Sequence, residues 1–219
     1  MGTARVTAWG ITEKSNASLH IRYPPGELIY QAGSYAAGIC LIVYGLVSDR
    51  QAVPITGHRS CVPEILGPGD LIGLDTLLES SANVHLTSAR AITEVALCFF
   101  ERDDFNKILR EQPAVRERYL EYLNNRFHAL KKHSCLSIFA SSEARLCSML
   151  LDLARRFGER QDAGDVLLPN GISTDRLPEL LGLSRRCVKR ILADLPDVRH
   201  VEDRLVVSVE SLQRRLVGD

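Results

Sequence analysis

Arg185, Arg186, Lys189 and Arg190 crowd four cations into one short segment, with Val188, Ile191, Leu192 and Leu195 interleaved and following. On a helix, an advance of about 100° per residue gathers the cations within roughly 140° and the aliphatics between about 240° and 340°. Such a helix can bury one face in its own domain and offer the other to a major groove about 12 Å wide. Arginine suits base reading because its planar guanidinium makes paired hydrogen bonds to guanine O6 and N7. Lys189 suits a phosphate or a single base acceptor. Cys187 falls at roughly 200°, between the two faces. Arg186, Arg190 and the helix N-terminus favour its thiolate, so it is a candidate redox switch beside the plainer reading of a small packed thiol.

Other chemistry finds less support. The cysteines at 40, 61, 98, 135, 147 and 187 form no CxxC, which argues against zinc fingers and clustered metal sites. His20, His58, His85, His128 and His133 stand at no diagnostic spacing, so haem ligation stays open without a favoured pair. No H-x-H pair occurs, and no catalytic residue or metal ligand is assigned. The competing readings are a cupin-like metal-dependent enzyme, with His58, His85 and Glu64 as its candidates, and a sensory module docking on another protein.

The cationic segment needs elements to aim it. Ser173 is expected to cap a first helix that turns Leu177, Leu180 and Leu181 inward, Gly182 to permit a sharp turn, and Ser184 to cap the second helix, Ser184 to Leu195. Pro178 should bend the first helix or delay its start. The alternation from Val198 to Val209 around Glu202-Asp203 predicts a β-hairpin wing, followed by a helix over 210–216. Arg199 and Arg204 of that wing are either DNA-backbone contacts or surface arginines without a role. Upstream, Ser141 or Ser142 should cap a helix carrying Leu146, Leu150, Leu153 and Phe157 to Gly158, with a polar loop over 158–165 and a short strand at Val166-Leu167-Leu168.

From Leu19 to Phe100 short β-branched runs alternate with Gly and Pro turns, as in a sandwich or barrel. The period then becomes helical at Phe105, Ile108 and Leu109, and Pro113 opens a long helix. Leu120, Leu123, Phe127 and Leu130 make a coiled-coil-like seam, and Val115, Tyr119 and Tyr122 a second stripe. One stripe should meet the β domain and the other a partner chain, unless the helix lies only on its own domain. Lysine plus arginine equals aspartate plus glutamate, 27 each, so a polyanion must be met by a local patch. No signal peptide or membrane span is legible, and a cytoplasmic location is expected.

The sequence resembles the CRP/FNR family, the cyclic-AMP receptor protein and fumarate-nitrate reduction regulator group. The resemblance is carried by Pro25-Gly26-Glu27-Leu28-Ile29, by Leu66-Gly67-Pro68-Gly69-Asp70-Leu71-Ile72-Gly73, by Arg145-Leu146 and by the run Leu180 to Leu192. It implies an α+β architecture: an N-terminal segment and β-roll sensor domain (double-stranded β-helix, jelly-roll-like) over 1–112, a dimerisation helix over 113–139, and a winged helix-turn-helix domain over 140–219. It further implies a transcription regulator, not an enzyme, acting as a homodimer on palindromic double-stranded DNA with RNA polymerase as a partner. Ser173, Thr174, Ser184, Arg185, Arg186, Lys189 and Arg190 would face DNA, and Leu120, Leu123, Phe127 and Leu130 would form the dimer seam.

Two departures matter. Arg186 stands where the family usually has Glu, and it cannot accept from cytosine N4, so the operator should differ. In the sensor, the family's phosphate-holding Gly-Glu and Arg-Ser pairs are missing: Leu74 follows Gly73, Ala82-Asn83-Val84-His85 holds no arginine, and Leu130-Lys131 replace hydroxyls. Cyclic AMP is therefore disfavoured. So is an iron-sulfur cluster, because no cysteine precedes Cys40. No cofactor is predicted, haem alone being left open, and Met1 to Ser18 is unassigned.

Overall fold

Strand β3 (Gly38–Tyr44) is apolar at nearly every position, as a strand covered on both faces must be. Its Ile39 and Leu41 enter one core with Leu71, Cys98, Phe100, Phe105, Ile108 and Val115. Ile42 enters a second with Val47, Leu66, Ile72, Ala89, Ala91, Val95 and Leu97. The computed structural model describes Trp9 and residues 19–52, 60–77, 83–161 and 164–217. The chain divides into two compact units, Met1–Phe127 and His128–Asp219.

The first unit holds β1 (Leu19–Tyr23), β2 (Leu28–Tyr30), β3, β4 (Val47–Ala52), β5 (Ser60–Leu66), β6 (Leu71–Ile72), β7 (Ser88–Ala91) and β8 (Val95–Glu101). They form two four-stranded antiparallel sheets, β1-β8-β3-β6 and β2-β7-β4-β5. Cys40 and Cys98 belong to neighbouring strands, but Cys98 pairs in register with Leu41, so the two thiols face opposite sides of the sheet and opposite cores. Burial, and then Cys98, pushes the Cys40 thiol up to about 12, the inert structural state expected of a packed cysteine.

Helix α1 (Arg102–Glu111) buries Phe105 and Ile108 on that sheet, and α2 (Pro113–Phe139) follows, opened by a proline whose missing N–H costs nothing there. The expected stripe of Val115, Tyr119 and Tyr122 does meet the β domain: Val115 is buried, and Tyr119 stands edge-on to Phe105 at 5.8 Å. The other stripe is outward, with Leu120, Phe127 and Leu130 exposed and Leu123 half-buried. Trp9 belongs to the core, edge-on to Tyr122 at 5.5 Å, with Nε1 donating to the Gly69 carbonyl at 2.9 Å. The rest of Met1 to Ser18, together with His58 and Ala82, lies outside the described residues.

The second unit begins its own core with α3 (Ser142–Phe157). Ser141 is the cap, its hydroxyl accepting from Ala144 N at 3.1 Å, and Leu146, Leu150 and Leu153 are buried. A Cβ at Gly158 would sit 2.2 Å from Val166 Cγ1, so only glycine lets the chain leave the helix this close to the next strand. The expected loop over 158–165 is corrected in part: β9 (Glu159–Arg160) pairs antiparallel with β10 (Asp165–Leu167). Two exposed polar residues cannot show a strand period, so only the partner reveals it. With β11 (Val198–Val201) and β12 (Arg204–Ser208) they make the sheet β11-β12-β10-β9. No helix among the described residues is long and apolar enough to cross a membrane.

Candidate nucleic-acid interface

Helix α4 (Leu177–Leu181) and helix α5 (Arg185–Ala193) are joined through Gly182 at φ +64°, ψ +30°. That left-handed conformation carries no penalty in glycine, and it lets Leu183 N reach the Pro178 carbonyl at 3.0 Å. Ser184 is the cap of α5, accepting from Cys187 N at 3.2 Å. Ser173 is not the cap of the first helix, contrary to expectation. Arg176 occupies that place without a side-chain bond, and the Ser173 carbonyl instead accepts from Arg176 N at 2.9 Å and Leu177 N at 3.3 Å, closing a turn. Pro178 explains the shift: it lacks an N–H and fits only the first turn of a helix, so α4 starts late.

Val188, Ile191 and Leu195 are buried and Leu192 half-buried, while Arg185, Arg186, Lys189 and Arg190 are all exposed. Among the described residues none of the four enters an ion pair. Cys187 is half-buried on the same helix. Two devices that the residue pattern did not disclose hold the pair of helices. Arg145 of α3 donates to the Leu181 carbonyl at the C-terminus of α4, where a cation is favoured. Beyond α5, Asp197 accepts from Ser211 Oγ at 2.6 Å and Arg215 Nε at 2.8 Å, fixing the following turn to α6 (Val209–Val217). The Ser211 hydrogen bond, then Arg215, hold the Asp197 carboxyl below its ordinary value.

The hairpin wing is present, turning at Glu202-Asp203 with Glu202 at φ +54°. Its arginines have partners on other strands of the sheet and in the segment after β10. Arg204 Nε donates to the Leu168 carbonyl at 2.9 Å and its Nη2 pairs with Glu159 at 3.0 Å, while Arg199 pairs with Asp165. These bonds staple the sheet. Thr174 Oγ1 lies 3.4 Å from Nε2 of His200, so the approach to α4 and the wing meet at one polar contact.

Residues 20–112 match the family described as the cyclic nucleotide-binding domain. The chain is 26% identical over 174 residues to the CRP-like cAMP-activated global transcriptional regulator of Mycobacterium tuberculosis, covering 80% of this chain and 75% of that one. It is 27% identical over 175 residues to the cyclic AMP receptor protein of Thermus thermophilus, at 80% and 76% coverage. Among solved structures, FixK2 from Bradyrhizobium japonicum is similar with a TM-score of 0.75 and 21% identity, covering 90% and 96% of the two chains. A mutant CooA from Carboxydothermus hydrogenoformans gives 0.76 and 18%, covering 96% and 94%. The chain is thus similar to proteins named as CRP-like, cyclic AMP receptor and FixK regulators, and it shares the fold of solved CRP/FNR-type structures.

Among the described residues the β-roll interior is lined unlike a phosphate cradle. Asp49 and Glu64 point inward from β4 and β5, and Arg126 of α2 answers them at 3.3 Å and 2.9 Å. Its Nη1 donates to the Leu71 carbonyl at 3.1 Å and lies 3.3 Å from Tyr122 Oη. Asp49 Oδ1 is buried without a hydrogen-bond partner, and burial raises its carboxyl above the ordinary range. His85 is buried and stacked on Tyr30 at 3.8 Å between centroids, its Nδ1 3.8 Å from Asp75 Oδ2 and beyond hydrogen-bond distance. Arg126 is already bonded on all sides, and an orphaned carboxylate oxygen repels an anion. These residues do not fit a cyclic-nucleotide phosphate. His20, His128 and His133 are exposed, and no group of three or more His, Cys, Asp or Glu able to hold a metal occurs among the described residues.

Proposed function

We propose that this regulator binds double-stranded DNA as a homodimer, reading a palindromic site through α5 without cyclic AMP or an iron-sulfur cluster. The observation that carries the reading is the division of α5 into a buried Val188, Ile191 and Leu195 face and an exposed Arg185, Arg186, Lys189 and Arg190 face. Ser173 and Thr174 with their hydroxyls, and the capped N-terminus of α5 at Ser184, are the further donors assigned to phosphates. Leu120, Leu123, Phe127 and Leu130 form the seam between protomers. A stripe with Leu120 and Phe127 each 58% exposed is what a second helix would cover. RNA polymerase is the further partner, by analogy with relatives named as transcriptional activators and regulators. Selection of bound DNA from a random pool, with and without reductant, tests the reading. It should return an inverted repeat whose half-sites lie about 34 Å apart, with affinity falling log-linearly as salt rises. A pool that yields no enriched sequence sinks base reading, and loss of binding on oxidation in the wild type but not in Cys187→Ser would assign Cys187 as the switch.

A further inference from the structure

Arg126 is the one guanidinium of α2 held inside the β-roll among the described ion pairs, its side chain 16% exposed. Each edge of its planar group is used. Nε faces Glu64 Oε2, Nη2 faces Asp49 Oδ2, and Nη1 meets the Leu71 carbonyl and Tyr122 Oη. The receptors come from β4, from β5, from the backbone of β6 and from α2 itself. An ammonium, a compact point charge, cannot span donors fanned over that plane. Burial by itself would disfavour the charge, yet Tyr122, Glu64 and Asp49 hold Arg126 above its ordinary value. The site is thus built for a guanidinium, and an oxygen of Asp49 beside it remains without a partner.

We propose that the β-roll interior is a guanidinium-binding site whose resident ligand is Arg126, so that the chain's own side chain docks α2 on the sensor in place of a diffusible effector. A buried charge set on three strands and a helix is expensive to assemble unless every partner is present, so docking is close to all-or-none. Arg126 belongs to the same helix as the outward residues Leu120 and Phe127, so its docking bears on the element that presents them. The effector-free part rests on the DNA-binding reading above; the docking part does not.

Trp9, the single tryptophan, stacks edge-on against Tyr122 and reports this site without reference to DNA. In Arg126→Ala, Trp9 emission should shift, the thermal midpoint should fall, and operator affinity should weaken by about tenfold or more. Methylguanidinium at low millimolar concentration should restore all three, whereas ammonium and sodium should not; wild-type protein should respond to none of them. Unchanged emission and midpoint in the variant, or equal rescue by ammonium, overturns the guanidinium site. Normal operator affinity alongside altered emission overturns its role as resident effector, as does cyclic AMP raising both the midpoint and the operator affinity of wild-type protein. If Arg126→Ala does not fold, Glu64→Gln removes one partner with little change of shape, and wild-type emission and midpoint in that variant overturn the proposal. Should wild-type protein bind no DNA, the DNA reading fails and Trp9 emission still decides the docking.

Discussion

Arg185, Arg190 and Lys189 stand on one exposed face, but their chemistry separates them. Replacing Arg185 or Arg190 with Ala should cost about 1–3 kcal/mol on the selected operator and much less on random DNA, because a bidentate pair to guanine is lost. Lys189→Ala should weaken both about equally and shallow the salt slope by about one, which a titration on the two DNAs will show. Equal losses for all three on all sequences would refute base reading by the arginines. Asp197 carries a different kind of prediction. Its folded carboxyl is held low by Ser211 and Arg215, so the stability it contributes is present above its unfolded value of about 3.9 and is lost as pH falls through the folded one. Asp197→Asn should lower the melting midpoint at neutral pH, and the gap from wild type should close in acid. A gap independent of pH would mean that the carboxylate charge is not what ties the turn to α6.

At the scale of elements, α2 has two stripes in different surroundings. Val115, Tyr119 and Tyr122 are spent on the β domain, where Tyr119 and Tyr122 bring aromatic edges against Phe105 and Trp9. Leu120 and Phe127 contribute little to the single chain's own core, being exposed there. Phe127→Asp should therefore leave the chain folded and monomeric in sedimentation, with operator binding lost. Aggregation or unfolding at the same concentration would place Phe127 in the protomer's own packing instead. Helix α4 shows how one residue moves an element boundary: Pro178 excludes a start at Ser173 and leaves the hydroxyls of Ser173 and Thr174 outside the helix, Thr174 against His200. Gly158 acts the same way at the other end of the domain, since any side chain there would strike Val166.

For the whole molecule, balanced charge makes any DNA affinity depend on where cations collect, and among the described residues α5 gathers four exposed cations outside any ion pair. Local spacing decided much of this in advance. The period of α5, the caps at Ser141 and Ser184, the glycine at 182 and the two stripes of α2 are properties of residues three or four apart, and a helix converts that spacing directly into faces. What the chain order alone did not disclose are contacts between distant residues. Arg204 with Glu159, Arg145 with the Leu181 carbonyl, Trp9 beneath Tyr122, and Arg126 with Asp49 and Glu64 each join segments far apart in sequence. An arginine looks the same in sequence whether it faces solvent, a phosphate or a buried carboxylate. Only the folded chain settles which, because the partner is fixed by packing over many residues rather than by the arginine's neighbours along the chain.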